Sequence, residues 1–266
     1  MPELAEVEFY RKEWNVGLRQ KIQSVELNKG KRIFRGINVG KLKKTIEGAS
    51  LIVSRAHGKQ MLFSFTKGGW LGIHLGMTGK LRTEKVPFVA LKHDHLVLHQ
   101  KNHALVFSDP RLFGRVLFDT GPHEPVWWTK LPPSLTSSQF TLAAMKQFLI
   151  RHRKAPIKAV LLSQSGFPGI GNWMADEILW QAKLHPRTAS GKIDDARRKV
   201  LYQKVRFVCR EAIRIVGEDF SDLPTSWLFR YRWKKKGACP RCAAILEHAT
   251  IGGRTTCWCP SCQSGV

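Results

Sequence analysis

Four cysteines near the C-terminus constrain this chain more than any other feature. Cys239-Pro-Arg-Cys242 and Cys259-Pro-Ser-Cys262 are two C-x2-C knuckles with sixteen residues between them. Each knuckle turns tightly and offers two thiolates, and Zn2+ takes four such ligands in a tetrahedron. With every position filled by sulfur, the metal would be structural, one per chain. Its binding would supply much of the folding energy of a hairpin too short to have its own core. Cys257 stays outside the set, because using it in place of Cys259 gives up the second knuckle's spacing. Cys209, in the run RFVCREAIRIV, reads as a buried small hydrophobe. Five of the six cysteines lie from Cys239 onward, which is not how a disulfide framework is spread through a secreted domain.

The charge points to a partner. Lys and Arg outnumber Asp and Glu by 44 to 20, a formal net charge of +24, while 43% of the residues are hydrophobic. That apolar content excludes a disordered basic tail, and a folded chain with such an excess is expected to meet a polyanion. There is no apolar run long enough to span a membrane, and MPELAEVEFYRKEW has no apolar signal core. The expectation is a soluble, intracellular protein.

Periodicity divides the chain. Leu4, Val7, Tyr10, Trp14 and Leu18 recur as one helix face. From Ile22 to Phe118, short apolar runs (22–27, 51–53, 61–65, 70–75, 96–98, 105–107 and 116–118) alternate with turn residues, the texture of an antiparallel sandwich or barrel. The proline-rich stretch 119–135 reads as a linker. Helical spacing returns over 140–150, 156–163, 172–182 and 193–216. The expected organisation is a domain over 1–122, a linker over 123–135, a helical domain over 136–225 and a zinc finger over 226–266.

Two further segments carry chemistry. GFPGIGN, residues 166–172, is a glycine-rich turn opening a helix. Asn172 suits the N-cap, Gly169 and Gly171 admit a close ligand, and a helix N-terminus suits a phosphate. An ordinary helix–turn–helix corner needs the same residues. The neighbouring Arg151, Arg153, Lys154 and Lys158 favour a DNA backbone. At the N-terminus, Pro2 permits removal of Met1 and would then present a secondary α-amine. Such an amine has a pKa of roughly 7.7–8.0 against roughly 10.4 for lysine, so more of it is nucleophilic at neutral pH. It can form an iminium with a sugar aldehyde carbon, and Glu3 beside it can supply a proton. The bland reading of PEL is a start sequence with a helix cap.

PELAEVE at 2–8, HGK at 57–59, HLGMTGKLR at 74–82, KHDH at 92–95, DPRLFGR at 109–115, IKAVLLSQSGFPGIGNWMADEIL at 157–179 and GGRTTCWCPSC at 252–262 together resemble the formamidopyrimidine-DNA glycosylase and endonuclease VIII family. The resemblance runs nearly the whole chain. It implies a multidomain α+β fold: an N-terminal β-sandwich with a flanking helix, a helix–two-turn–helix domain and a zinc hairpin. It also implies a bifunctional glycosylase and abasic-site lyase that flips out oxidised bases and nicks the strand by β,δ-elimination.

The resemblance assigns roles by position. Pro2 would be the nucleophile and Glu3 the proton donor. Lys59 would assist β-elimination, and Arg254 would hold phosphate and serve δ-elimination. Met77, Arg111 and Phe113 would fill the gap left by the extruded base, while His93, Arg111, Lys154 and Asn172 would contact DNA. The implied partner is double-stranded DNA with oxidised bases or abasic sites. The implied setting is the bacterial cytoplasm at the nucleoid, as a monomer, with no membrane and no organic cofactor. The rival is a non-catalytic damaged-DNA-binding protein of the same fold, a reading that gains if Met1 persists, because Pro2 then has no free amine. Ala5 stands where the family usually has Pro, and Leu112 where its purine-specific branch often has a second Arg. The segment Gly217–Ala238 is shorter than the one that covers an extruded 8-oxoguanine in the family, which points to other lesions.

Overall fold

The computed structural model describes residues 2–28, 30–234 and 236–264. The removal or retention of Met1 therefore lies outside the described residues. The chain divides into two compact units, one formed by Glu6–Leu131 with Pro2, the other by Pro132 onward with Glu3–Ala5.

The first unit holds two four-stranded antiparallel sheets. One has the order β1 (Ser24–Leu27), β6 (Asp94–His99), β7 (His103–Ser108), β5 (Lys80–Lys85); the other runs β2 (Leu51–His57), β3 (Gln60–Phe65), β4 (Gly69–His74), β8 (Arg115–Thr120). Their inward residues, including Met61, Phe63, Leu71, Leu96, Leu105 and Phe107, share one apolar core. The opposite face of β6 and β7 is also apolar: Val97, Ala104 and Val106 form a satellite cluster under Phe88 and Ala90. This explains why these strands read as continuous runs rather than alternating ones.

Two elements escape the periodicity. Strand β5, KLRTEK, buries only Leu81, and its Arg82 reaches Asp94 with two hydrogen bonds of 2.8 Å. Helix α2 (Val39–Ile46) is capped by Asn38 and buries Leu42 and Ile46. The first helix is also shorter than its apolar spacing. Helix α1 spans Leu4–Lys12, and Asn15–Gly17 is a separate 3-10 turn. The turn is held where Gln100 Nε2 donates to the Gly17 carbonyl at 2.8 Å, and a Cβ on Gly17 would lie 2.6 Å from Gln100. Of the five spaced apolar residues, Leu4 belongs to the second unit's core and Val7 and Trp14 to the first. Within 123–135, Val126–Thr129 forms the short helix α3, and Trp128 is buried.

The second unit packs α4 (Leu142–Arg151), α5 (Ile157–Leu161), α6 (Asn172–Gln181) and the long α7 (Asp195–Asp219) around Met145, Leu161, Ile170, Met174, Ile178 and Val205. Cys209 is fully buried here, as its spacing predicts, and burial pushes its thiol far up. The unit ends in a hairpin of β9 (Glu247–Ile251) and β10 (Arg254–Trp258), turning through Gly252 and Gly253, both at positive φ, as a two-residue hairpin turn requires. Among the described residues no helix is long and apolar enough to cross a membrane.

Candidate active site

In the second unit the N-terminus of α6 already holds an anion. The Glu3 carboxylate, 2% exposed, accepts the backbone N–H of Gly171 at 2.8 Å, Trp173 at 2.9 Å and Met174 at 3.1 Å. A negative charge is favoured there by the free N–H groups and the helix dipole. The group seated on these three donors is the chain's own carboxylate. Gly171 is required, because a Cβ would lie 2.3 Å from the Glu3 carboxyl carbon.

The expected cap is corrected. Gly171 is the N-cap, and Asn172 is the first helical residue. The Asn172 amide instead donates to the Thr255 carbonyl at 2.7 Å, tying α6 to β10 beside the exposed Arg254. Lys158 is not a surface cation either. It is 0% exposed, pairs with the buried Asp176, and donates to the Asn172 carbonyl at 2.7 Å. Asp176 also receives the guanidinium of buried Arg232 and the Cys257 N–H, so one carboxylate joins α5, α6, the segment before the hairpin, and β10. Arg151, Arg153 and Lys154 do remain exposed, lining a shallow basic concavity after α4.

The sulfurs of Cys239, Cys242, Cys259 and Cys262 lie within 4.8 Å of one another. Such a cluster can hold one metal ion, and an all-thiolate set suits zinc. Trp180 Nε1 donates to Cys239 Sγ at 3.3 Å, and Arg241 N at 3.4 Å. Burial raises the Cys239 thiol, but these donors outweigh it and bring it to about 7. Cys257 is buried and packs beside Cys239 and Cys259 without joining the four-sulfur set, and burial pushes it up to about 12.

In the first unit, Lys59 sits on the two-residue turn between β2 and β3, with Gly58 at φ 58°, and is 9% exposed. Pro2 is half-buried. His74, at the end of β4, is a residue the sequence reading missed. Its Nδ1 accepts the Gly76 N–H at 3.0 Å. Burial first, then the charges of Lys59 and Arg35, hold its pKa below the usual imidazole value. It is thus neutral at pH 7, with its proton on Nε2 and able to donate.

Met77, in the loop after β4, and Phe113, in the loop after β7, are 41% and 42% exposed, two of several large apolar side chains that face solvent among the described residues. The Arg111 guanidinium lies over the Phe113 ring, 4.8 Å from its centroid. A Cβ on Gly76 would lie 2.4 Å from the Phe113 carbonyl carbon, so the two loops touch at their backbones. His93 is exposed, and its carbonyl accepts the Asp109 N–H at 3.1 Å.

Known proteins match this chain over nearly its whole length. The model of the formamidopyrimidine-DNA glycosylase N-terminal domain matches residues 1–116, and that of the formamidopyrimidine-DNA glycosylase H2TH domain matches residues 131–222. A formamidopyrimidine-DNA glycosylase of Xanthomonas euvesicatoria pv. vesicatoria is 32% identical over 273 residues, covering 99% of this chain and 100% of that protein. The Lactococcus lactis Fpg (MutM) complex with FAPY-dG containing DNA matches with a TM-score of 0.89 at 28% identity, covering 99% of this chain and 100% of that one. The Lactococcus lactis Fpg complex with abasic site containing DNA matches with a TM-score of 0.87, also at 28% identity and with the same coverage. The sandwich, the helical unit and the four-cysteine hairpin agree with these matches in order and extent, and the chain belongs to the formamidopyrimidine-DNA glycosylase family.

Proposed function

We propose that this chain is a DNA glycosylase with abasic-site lyase activity, acting on duplex DNA that carries oxidised bases or abasic sites. The observation that carries this reading is the Glu3 carboxylate, held by three backbone N–H groups directly beside Pro2. A surface start sequence would leave that side chain in water.

The chemistry follows from the residue types. After Met1 is removed, the Pro2 nitrogen uses its lone pair to attack the sugar C1′. The bond from C1′ to the base breaks, and the base leaves with that electron pair and takes up a proton. The Glu3 carboxylate takes the proton that the Pro2 nitrogen sheds after attack and passes it to the ring oxygen O4′ as the C1′–O4′ bond opens, leaving an iminium between Pro2 and C1′. Loss of a C2′ proton expels the 3′ phosphate, and loss of the C4′ proton expels the 5′ phosphate. Lys59 assists the first elimination and Arg254 the second, both as cations toward phosphate. The four cysteines would hold one Zn2+, which shapes the hairpin carrying Arg254. Met77, Arg111 and Phe113 fill the vacated stack, and His93, Lys154 and Asn172 approach the DNA backbone.

Borohydride tests the reading, because reduction freezes an iminium. Wild-type protein of intact mass lacking Met1 should become covalently trapped on abasic DNA, and protein retaining Met1 should not. Trapping that is indifferent to Met1 would move the nucleophile to another amine. No trapping and no nicking by protein lacking Met1 would favour the non-catalytic binding protein.

A further inference from the structure

The residues that would enter the DNA stack are carried by two different loops. Met77 lies between β4 and β5, while Arg111 and Phe113 lie between β7 and β8. A wedge made of two parts opens a stack as one body only if the parts keep a common register.

One buried carboxylate supplies that register. Asp109 is 0% exposed. Its Oδ1 accepts the Thr78 hydroxyl at 2.7 Å and the Arg111 N–H at 3.3 Å, and its Oδ2 accepts the Gly114 N–H at 2.6 Å. Thr78 directly follows Met77, and Gly114 directly follows Phe113. The same carboxylate therefore clasps the flank of each half of the wedge. Thr78 is itself exposed, so its hydroxyl could bond to water at no packing cost. That it bonds to a buried carboxylate instead makes the contact a directional tie between loops.

We propose that the Thr78–Asp109 hydrogen bond latches the Met77 loop to the Arg111–Phe113 loop, and that base extrusion depends on this latch. Thr78 and Asp109 are then positioning residues, acting through the three side chains that meet the DNA. This rests on the glycosylase reading above. Without the latch the Met77 loop spends only part of its time in register, and the extrusion rate falls by that fraction. A hydrogen bond to a charged acceptor is strong enough to make the fall about tenfold.

The test is stopped-flow fluorescence of 2-aminopurine placed beside an abasic site in duplex DNA, which brightens as the stack opens. Thr78→Val removes the hydroxyl while keeping the side chain's shape, and Thr78→Ser restores it. The expected result is unstacking about tenfold slower in Thr78→Val and restored to the wild-type rate in Thr78→Ser. Nicking of single-stranded abasic DNA, which has no stack to open, should be equal in all three. Unstacking by Thr78→Val at the wild-type rate overturns the proposal. So does Thr78→Ser as slow as Thr78→Val, or single-strand nicking that falls in step. If wild type neither nicks nor traps abasic DNA, the glycosylase reading fails, while the fluorescence step still judges the latch. Wild type that binds without brightening the reporter overturns the latch itself.

Discussion

The Glu3 carboxylate receives the Trp173 N–H at 2.9 Å across 170 residues of chain. This contact fastens the start of the polypeptide to the N-terminus of α6, and the Gly171 and Met174 N–H groups complete the cradle. The proposed proton relay is therefore held in one orientation by three N–H donors, which are already aimed at the charge it carries before it takes up a proton.

Replacing Glu3 with Gln turns an NH2 group toward backbone donors that need acceptors. A loss of stability of roughly 1–3 kcal/mol is expected for weakened bonds to a charged group. Release of a damaged base should fall further than nicking of a preformed abasic site, which has no base to expel. Thermal melts and single-turnover rates on both substrates check this, and equal losses on the two substrates would confine Glu3 to a step that both share, such as opening of the sugar ring.

Glu177 should impose a pH dependence on folding. It is buried in α6, and burial lifts its carboxyl from 4.5 to about 7, against hydrogen bonds from Gln181 and the Phe229 N–H. Between those values the folded chain keeps a proton that the unfolded chain has released. The associated stability is full below 4.5 and is lost as pH rises through about 7. The loss amounts to roughly 3 kcal/mol. Denaturant melts at about pH 5 and about pH 8 should show wild type losing that much relative to Glu177→Gln. Parallel curves for the two proteins would contradict it.

Purified protein should carry one zinc per chain. Cys262→Ser opens the four-sulfur cluster and should lose metal, DNA affinity and strand nicking together, because Arg254 rides on the same hairpin. Elemental analysis of well-folded wild type giving no zinc would refute the assignment. Retained nicking in a metal-free variant would separate the hairpin from the chemistry.

The lesion preference should exclude efficient removal of 8-oxoguanine opposite cytosine. The segment Gly217–Ala238 is short, and it is pinned by buried Leu223, Trp227, Leu228 and Arg232, leaving little chain to reach over an extruded base. Strong discrimination needs polar contacts that a wrong base leaves unpaired. Ring-saturated pyrimidines, hydantoins and ring-opened purines stack poorly and flip at lower cost. Single-turnover rates on duplexes differing only in the lesion decide it. A faster rate on 8-oxoguanine than on thymine glycol would mean the base is read by other residues.

Much of the fold was legible along the chain. The long α7 announces itself because its buried residues recur at the helical period, and β3 and β4 because they are short apolar runs, buried almost throughout and bounded by turn residues. Strand β5 was not legible, since its place comes from pairing with β7 and from the Arg82–Asp94 contact rather than from apolar residues. The separate turn after α1 was not legible for a similar reason: Gln100, far along the chain, takes hold of Gly17.

The site divides along the same line. The four-cysteine set could be read directly, because ligand spacing is a local property of the chain. Which charges face solvent could not. Lys158 and Lys154 look alike in sequence, yet one is sealed against Asp176 and the other is exposed. The occupant of the α6 N-terminus, the neutral His74 beside Lys59, and the Asp109 clasp on Thr78 were likewise decided by folding. Each depends on which distant groups share a desolvated volume. A buried polar group must find its partners there, and periodicity along the chain carries no record of that pairing.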